Sequence, residues 1–159
     1  MDSNQIYNRA LEVMEENFSH MTEMCLATSA NDVVSVRELH GYYHEGKMYV
    51  LTKLNNSVMK DLDVNKNVAL CLGSHHMQGV AQSLGHPLDK HNAQIRKVLK
   101  KEFSLNYGEY VTEDDPHMLI VEITLTSAVT YTRFHRYMID YVTQSAQRDH
   151  TQPLFIYRQ

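Results

Sequence analysis

Two hydroxyls and two ammonium groups able to hold an anion crowd one short stretch of this chain: Thr52, Lys53, Ser57 and Lys60. Thr52 and Lys53 follow Tyr49, Val50 and Leu51, whose aromatic, β-branched and apolar character predicts a strand over Met48–Thr52. Asn55, Asn56 and Ser57 can each cap a helix, and Val58 and Leu62, four apart, share one helical face. About two turns of helix should therefore run to Asp63 or Val64 before Asn65 breaks them, with a second strand over Val68–Leu72. A helix N-terminus exposes N–H groups and the positive end of the helix dipole. Beside it, Thr52, Lys53, Ser57 and Lys60 make a cradle suited to phosphate. The same residues also suit an ordinary strand–helix–strand connection with a solvated polar turn.

The order of these pieces resembles a known family. Arg37 comes first, then Tyr49-Val50-Leu51-Thr52, then Ser57, Lys60, Leu62 and Asn65, then Val68-Ala69-Leu70. This is similar to the pyridoxamine 5'-phosphate oxidase-like FMN-binding split barrels, over roughly residues 24–88. Members carry an arginine on the preceding strand, a "(Y/F)-x-T" strand end, "S-x-K" at the helix start and "N-P-x-V-x-L" into the next strand. Glu38 stands where the family often has proline, and Gly85, matched to the glycine of "V-x-G-x-A", is followed by His86 and Pro87.

The resemblance implies a single FMN-binding domain over residues 1–159, in which Arg37, Leu51, Thr52, Lys53, Ser57 and Lys60 line the cofactor site. Arg37 would grip the flavin phosphate through its planar fork. Read without the family, an arginine on a strand is a solvated edge or a partner for a neighbouring acid such as Glu38. Gln82, sharing a face with Gln78, would hydrogen-bond the flavin ring. The family further implies a homodimer, flavin-dependent oxidoreductase chemistry on a small-molecule substrate, and aromatic tail residues Tyr137, Tyr141, Phe155 and Tyr157 at the dimer contact. No catalytic side chain is identified. True pyridoxamine phosphate oxidase activity is not expected, because Arg158 is the only basic residue in the closing segment LFIYRQ. A haem-binding or haem-degrading split barrel is the alternative, with His86, His135 or His150 as axial ligand, and a non-catalytic flavin-binding dimer is a third reading.

Composition narrows the class. At 159 residues the chain suits one domain, and 15 basic against 19 acidic residues lack the excess that a nucleic-acid surface requires. The start MDSNQIYN lacks the pattern of a signal peptide, and no apolar run is long enough to span a membrane, so a cytoplasmic protein is expected. Cys25 and Cys71 lie in apolar, strand-like surroundings without metal-ligand spacing and read as buried reduced thiols. No H-E-x-x-H occurs among the ten histidines, and no metal site is expected.

Positioning falls to the remaining elements. Ile6, Ala10, Val13, Met14 and Phe18 predict an amphipathic helix capped by Ser3. Strands follow over Met24–Ala30 and Val33–Tyr43, with turns at Asn31-Asp32 and Glu45-Gly46 and a possible bulge at His40-Gly41. SHHMQ reads as a loop before a strand over Gly79–Leu88. Asp89 should cap a helix to Phe103, whose basic face is solvated. Asn106–Pro116 reads as a loop, and strands cover His117–Leu125 and Ala128–Phe134. The tail holds Tyr137–Val142, then the polar stretch SAQRDHTQ, then LFIYR, and Tyr137–Val142 or LFIYR reads as a short edge strand or a dimer contact. The sum is a mainly β (α+β) domain, a six- to seven-stranded antiparallel split barrel with flanking helices.

Overall fold

The computed structural model describes residues 2–151. Its helices are α1 (Ser3–Phe18), α2 (Ser57–Val64) and α3 (Ala93–Glu102). Its strands are β1 (Thr22–Ala30), β2 (Val33–His44), β3 (Lys47–Lys53), β4 (Asn67–Leu72), β5 (His75–Gly85), β6 (Met118–Tyr131), β7 (His135–Asp140) and β8 (Ser145–His150). All pairings between strands are antiparallel, in the order β3-β2-β1-β4-β5-β6, and β3 pairs with β6 to close a six-stranded barrel. β7 and β8 extend the sheet outside the ring. This is the expected split barrel with flanking helices.

Alternation sorts the side chains of each strand. On β1, Met24, Leu26 and Thr28 are buried inward while Cys25 and Ala27 face out, and on β4 Val68 and Leu70 are buried while Cys71 is exposed. The barrel interior also takes Ala10, Val13, Met14 and Phe18 of α1 and Val58, Met59 and Leu62 of α2. A smaller cluster forms outside the ring, where Leu99 and Phe103 cover Tyr42, Tyr49 and Ile120. The tight turns predicted at Asn31-Asp32 and Glu45-Gly46 hold four residues at positive φ, the geometry of primed hairpin turns.

Several local expectations are corrected. The N-cap of α1 is Asp2, which exchanges hydrogen bonds with Gln5, and Ser3 is already helical. No bulge occurs at His40-Gly41: β2 stays in register with β1 through Glu23↔His40 and Thr22↔Gly41. SHHMQ is not a loop, since β5 begins at His75 and alternates exposed His76 and Gln78 with buried Met77 and Gly79. Asp89 caps no helix amide. It accepts from the His86 N–H, and a single 3-10 turn precedes α3. The two strands expected over 117–134 are one, bent at Thr126, which the register leaves unpaired between Gln78↔Ser127 and Gly79↔Leu125. SAQRDH forms β8, while LFIYR lies outside the described residues. Cys25 is only half-buried and Cys71 is exposed, because both lie on the outward face.

The bend explains a glycine. A Cβ at Gly79 would lie 2.5 Å from the Thr124 carbonyl oxygen and 2.8 Å from Ile123 Cγ2, so the strands approach here as only glycine allows.

Candidate functional site

A cleft of about 700 Å³ opens where β2 and β3 meet the start of α2 and the turn-rich segment after α3. Leu51, Thr52 and Lys53 enter it from the end of β3, Asn56 and Ser57 from the start of α2, and Arg37 from β2. The opposite wall is Phe103, Asn106, Tyr110 and Val111. The volume falls in the range of small-molecule and cofactor sites, and an apolar wall facing a few polar groups is their usual make-up. Five of the six predicted cofactor contacts outside β5 thus share one cavity. Lys60 is exposed on α2 and is not in that lining, and Gln82 is exposed on β5 opposite Glu122, also outside it.

Helix α2 starts as its sequence predicts. Asn56 is the N-cap, its side chain accepting from the Val58 N–H at 3.2 Å, and the Ser57 hydroxyl donates back to Asn56 Oδ1. The dipole of this helix points its positive end into the cleft mouth.

Arg37 has a partner that local sequence does not reveal. Period-two alternation places it on the inner face with Ser35 and Leu39, while Glu38 is exposed on the outer face. Its Nη1 donates to Thr28 Oγ1 at 2.6 Å and its Nη2 to Asp61 Oδ2 at 3.0 Å. Thr28 also donates to Asp61, and these bonds from Thr28 and then Arg37 hold the Asp61 carboxyl below the usual carboxylate range. The ion pair is four-fifths buried at both ends. A guanidinium has five N–H donors, so Arg37 is fixed in place with donors still available to a ligand. Lys53 is similarly held, 2.8 Å from Asp115, whose carboxyl is lowered by Lys53 and by the His117 N–H. Each cation of the cleft therefore carries its own acid, and Glu38 lies in the lining as well. Positive potential is modest here, and binding of an anion would depend on directed donors more than on net charge.

The candidate haem ligands are placed elsewhere. His86 is engaged at both ring nitrogens, with the Asp115 carbonyl and the Leu88 N–H. His135 and His150 face each other across the β7–β8 hairpin with ring centroids 4.7 Å apart. Tyr137 is buried and Tyr141 half-buried against the chain's own core, and Phe155 and Tyr157 lie outside the described residues. Among the described residues no group of three or more His, Cys, Asp or Glu is placed to hold a metal ion, and no helix is long and apolar enough to cross a membrane.

Sequence comparison finds no matching family model and no matching curated protein. Comparison with solved structures finds many. General stress protein 26 from Bacillus anthracis superposes with a TM-score of 0.58 at 16% identity, over 76% of this chain and 92% of that one. A Clostridium acetobutylicum protein related to general stress protein 26, of the pyridoxinephosphate oxidase family, gives 0.57 at 13% identity over 91% and 99%. A pyridoxamine 5'-phosphate oxidase-related, FMN binding protein from Nostoc punctiforme gives 0.57 at 9% identity over 92% and 96%. At such identities the likeness is one of fold. The chain has the split-barrel fold of the pyridoxamine 5'-phosphate oxidase-like proteins that its sequence resembles.

Proposed function

We propose that this chain binds FMN in the cleft at the start of α2 and works as a flavin-dependent oxidoreductase on a small molecule. The observation that carries the reading is the convergence of Arg37, Thr52, Lys53 and Ser57 on one cavity of cofactor size in a split barrel. These donors fit a phosphate monoester: a fixed guanidinium, two hydroxyls, an ammonium and first-turn amides. When bound, the isoalloxazine supplies the electron or hydride transfer. The protein's part is to hold and orient it. Thr28 and Asp61 fix the fork of Arg37, Asn56 fixes the first turn of α2, and Leu51 and Phe103 offer apolar surface that excludes water.

The protein is a homodimer in this reading. Exposed apolar side chains on β2 support it, since Val33, Val34 and Val36 are each about two-thirds exposed on one hairpin. The reading is tested by titrating the purified protein with FMN and with riboflavin. The expected outcome is a yellow, stoichiometric complex with FMN and markedly weaker binding of riboflavin. A Soret band with added haem, and no flavin uptake, would replace this reading with the haem one.

A further inference from the structure

Cys25 and Cys71 are directly opposed across the β1–β4 ladder. Opposed residues of antiparallel strands have Cα atoms about 4.5–5.5 Å apart, inside the roughly 4.4–6.8 Å range of disulfides. Both side chains stand on the outward face, Cys71 exposed and Cys25 half-buried. The same row of the sheet continues to Glu38 beyond Cys25 and to His76 beyond Cys71. We infer that Cys25 and Cys71 form a reversible thiol–disulfide site on the outer wall of the barrel, oxidised by peroxides.

The chemistry is balanced as follows. The exposed Cys71 thiol gives up its proton, for which the imidazole of His76 is the neighbouring acceptor, and its sulfur attacks one oxygen of hydrogen peroxide. The O–O bond breaks, Cys71 becomes a sulfenic acid and one water leaves. The Cys25 sulfur then attacks the Cys71 sulfur, the S–O bond breaks, the S–S bond forms and a second water leaves. Two thiols are oxidised while one peroxide is reduced to two waters. The order is set by access: Cys25 is less exposed, and burial together with Cys71 and Glu38 pushes its thiol up.

The location gives the bond a consequence. The β1–β4 ladder has only three residue pairs, Cys25↔Cys71, Leu26↔Leu70 and Ala27↔Ala69, and is the shortest in the ring. A covalent link at one end of it staples the weakest seam of the barrel. Glu38, next in the row, lines the cleft, so the linked strands support one of its walls. The chemistry of the pair does not depend on what occupies that cleft.

The test oxidises the reduced, intact protein with hydrogen peroxide, removes the excess, and compares it with untreated protein. The expected product is a single chain on a non-reducing gel, lighter by two hydrogens, in which the Cys25 and Cys71 peptides are joined. Its thermal midpoint should rise by roughly 5–15 °C and return on treatment with dithiothreitol. Cys25→Ser should stop the reaction at the sulfenic acid of Cys71, trapped by dimedone, and Cys71→Ser should leave Cys25 largely unreacted. Two free thiols after oxidation, disulfides joining separate chains, or over-oxidation of Cys71 in the native chain without a Cys25 link would each overturn the inference.

Discussion

Replacing Arg37 with alanine tests the cleft directly, because Arg37 is the one cation there that the fold fixes through two hydrogen bonds. A charge-assisted hydrogen bond contributes roughly 1.5–3 kcal/mol. Arg37→Ala should therefore weaken FMN binding by about ten- to 150-fold, while riboflavin, lacking the phosphate, should change little. The substitution also removes the largely buried ion pair with Asp61, at a stability cost of about 1–3 kcal/mol; Thr28 still donates to the Asp61 carboxyl, so the fold should survive. Asp61→Asn separates the two roles. It removes the same ion pair but keeps the guanidinium, and because the amide oxygen of Asn can still accept from Arg37 and Thr28 the fork stays in place, so FMN affinity should fall far less than in Arg37→Ala. Lys60→Ala, outside the cleft lining, should leave FMN affinity within about twofold. Flavin-fluorescence titrations of the variants, with near-ultraviolet circular dichroism to confirm folding, read all three. Unchanged FMN affinity in Arg37→Ala, or an equal loss in Asp61→Asn, would refute the assignment of Arg37 to a phosphate.

Gly79→Ala should destabilise by about 1–3 kcal/mol in urea unfolding, because the new Cβ meets the Thr124 carbonyl, a backbone atom that cannot swing aside. His75 is packed edge-on against Phe18 and Tyr131, and burial pushes its imidazole below its ordinary value. The unfolded chain then binds a proton that the folded one resists. Stability from this site is full above about pH 6.5 and falls as the pH drops below it; urea midpoints at neutral pH and near pH 5 should show the loss, and His75→Gln should flatten it. Sedimentation at micromolar concentration should find a dimer, and Val34→Lys together with Val36→Lys should shift it to monomer if the exposed β2 hairpin is the contact.

What the sequence carried well was local. The helix caps at Asn56, the hairpin turns at Asn31-Asp32 and Glu45-Gly46, and the apolar alternation of Met24, Leu26 and Val68, Leu70 follow from neighbours in the chain, and they suffice to outline a barrel. Polar strands were missed. His75–Gln78 and Ser145–His150 have few apolar residues because one strand puts His76 and Gln78 on its outer face and the other lies outside the ring. The break expected after Leu125 is a bulge at Thr126, whose cause, the register against β5, is a property of the pairing. The site shows the same division. Thr52, Lys53 and Ser57 were legible as one stretch, but the partners of Arg37, namely Thr28 and Asp61, come from β1 and α2 and leave no mark in the residues beside it. Lys60, only three residues from Ser57, sits on the exposed surface of α2 once the buried side is taken by Val58, Met59 and Leu62.

The ring is closed by β3 and β6, joining Lys47 to Thr124 and Lys53 to Met118. A chain emerging from the ribosome makes β1, β2 and β3 early, and the free edge of β3 then has no partner until β6 has been synthesised and cleared the exit tunnel. Until that moment Tyr49 and Leu51 lack much of their cover on an open strand, since Leu99, Phe103 and Ile120 all come from later in the chain. Long-range antiparallel closure of this kind is slow to nucleate. During synthesis the nascent half-barrel is thus a sticky, edge-exposed intermediate, the form in which a holdase chaperone would have most to protect.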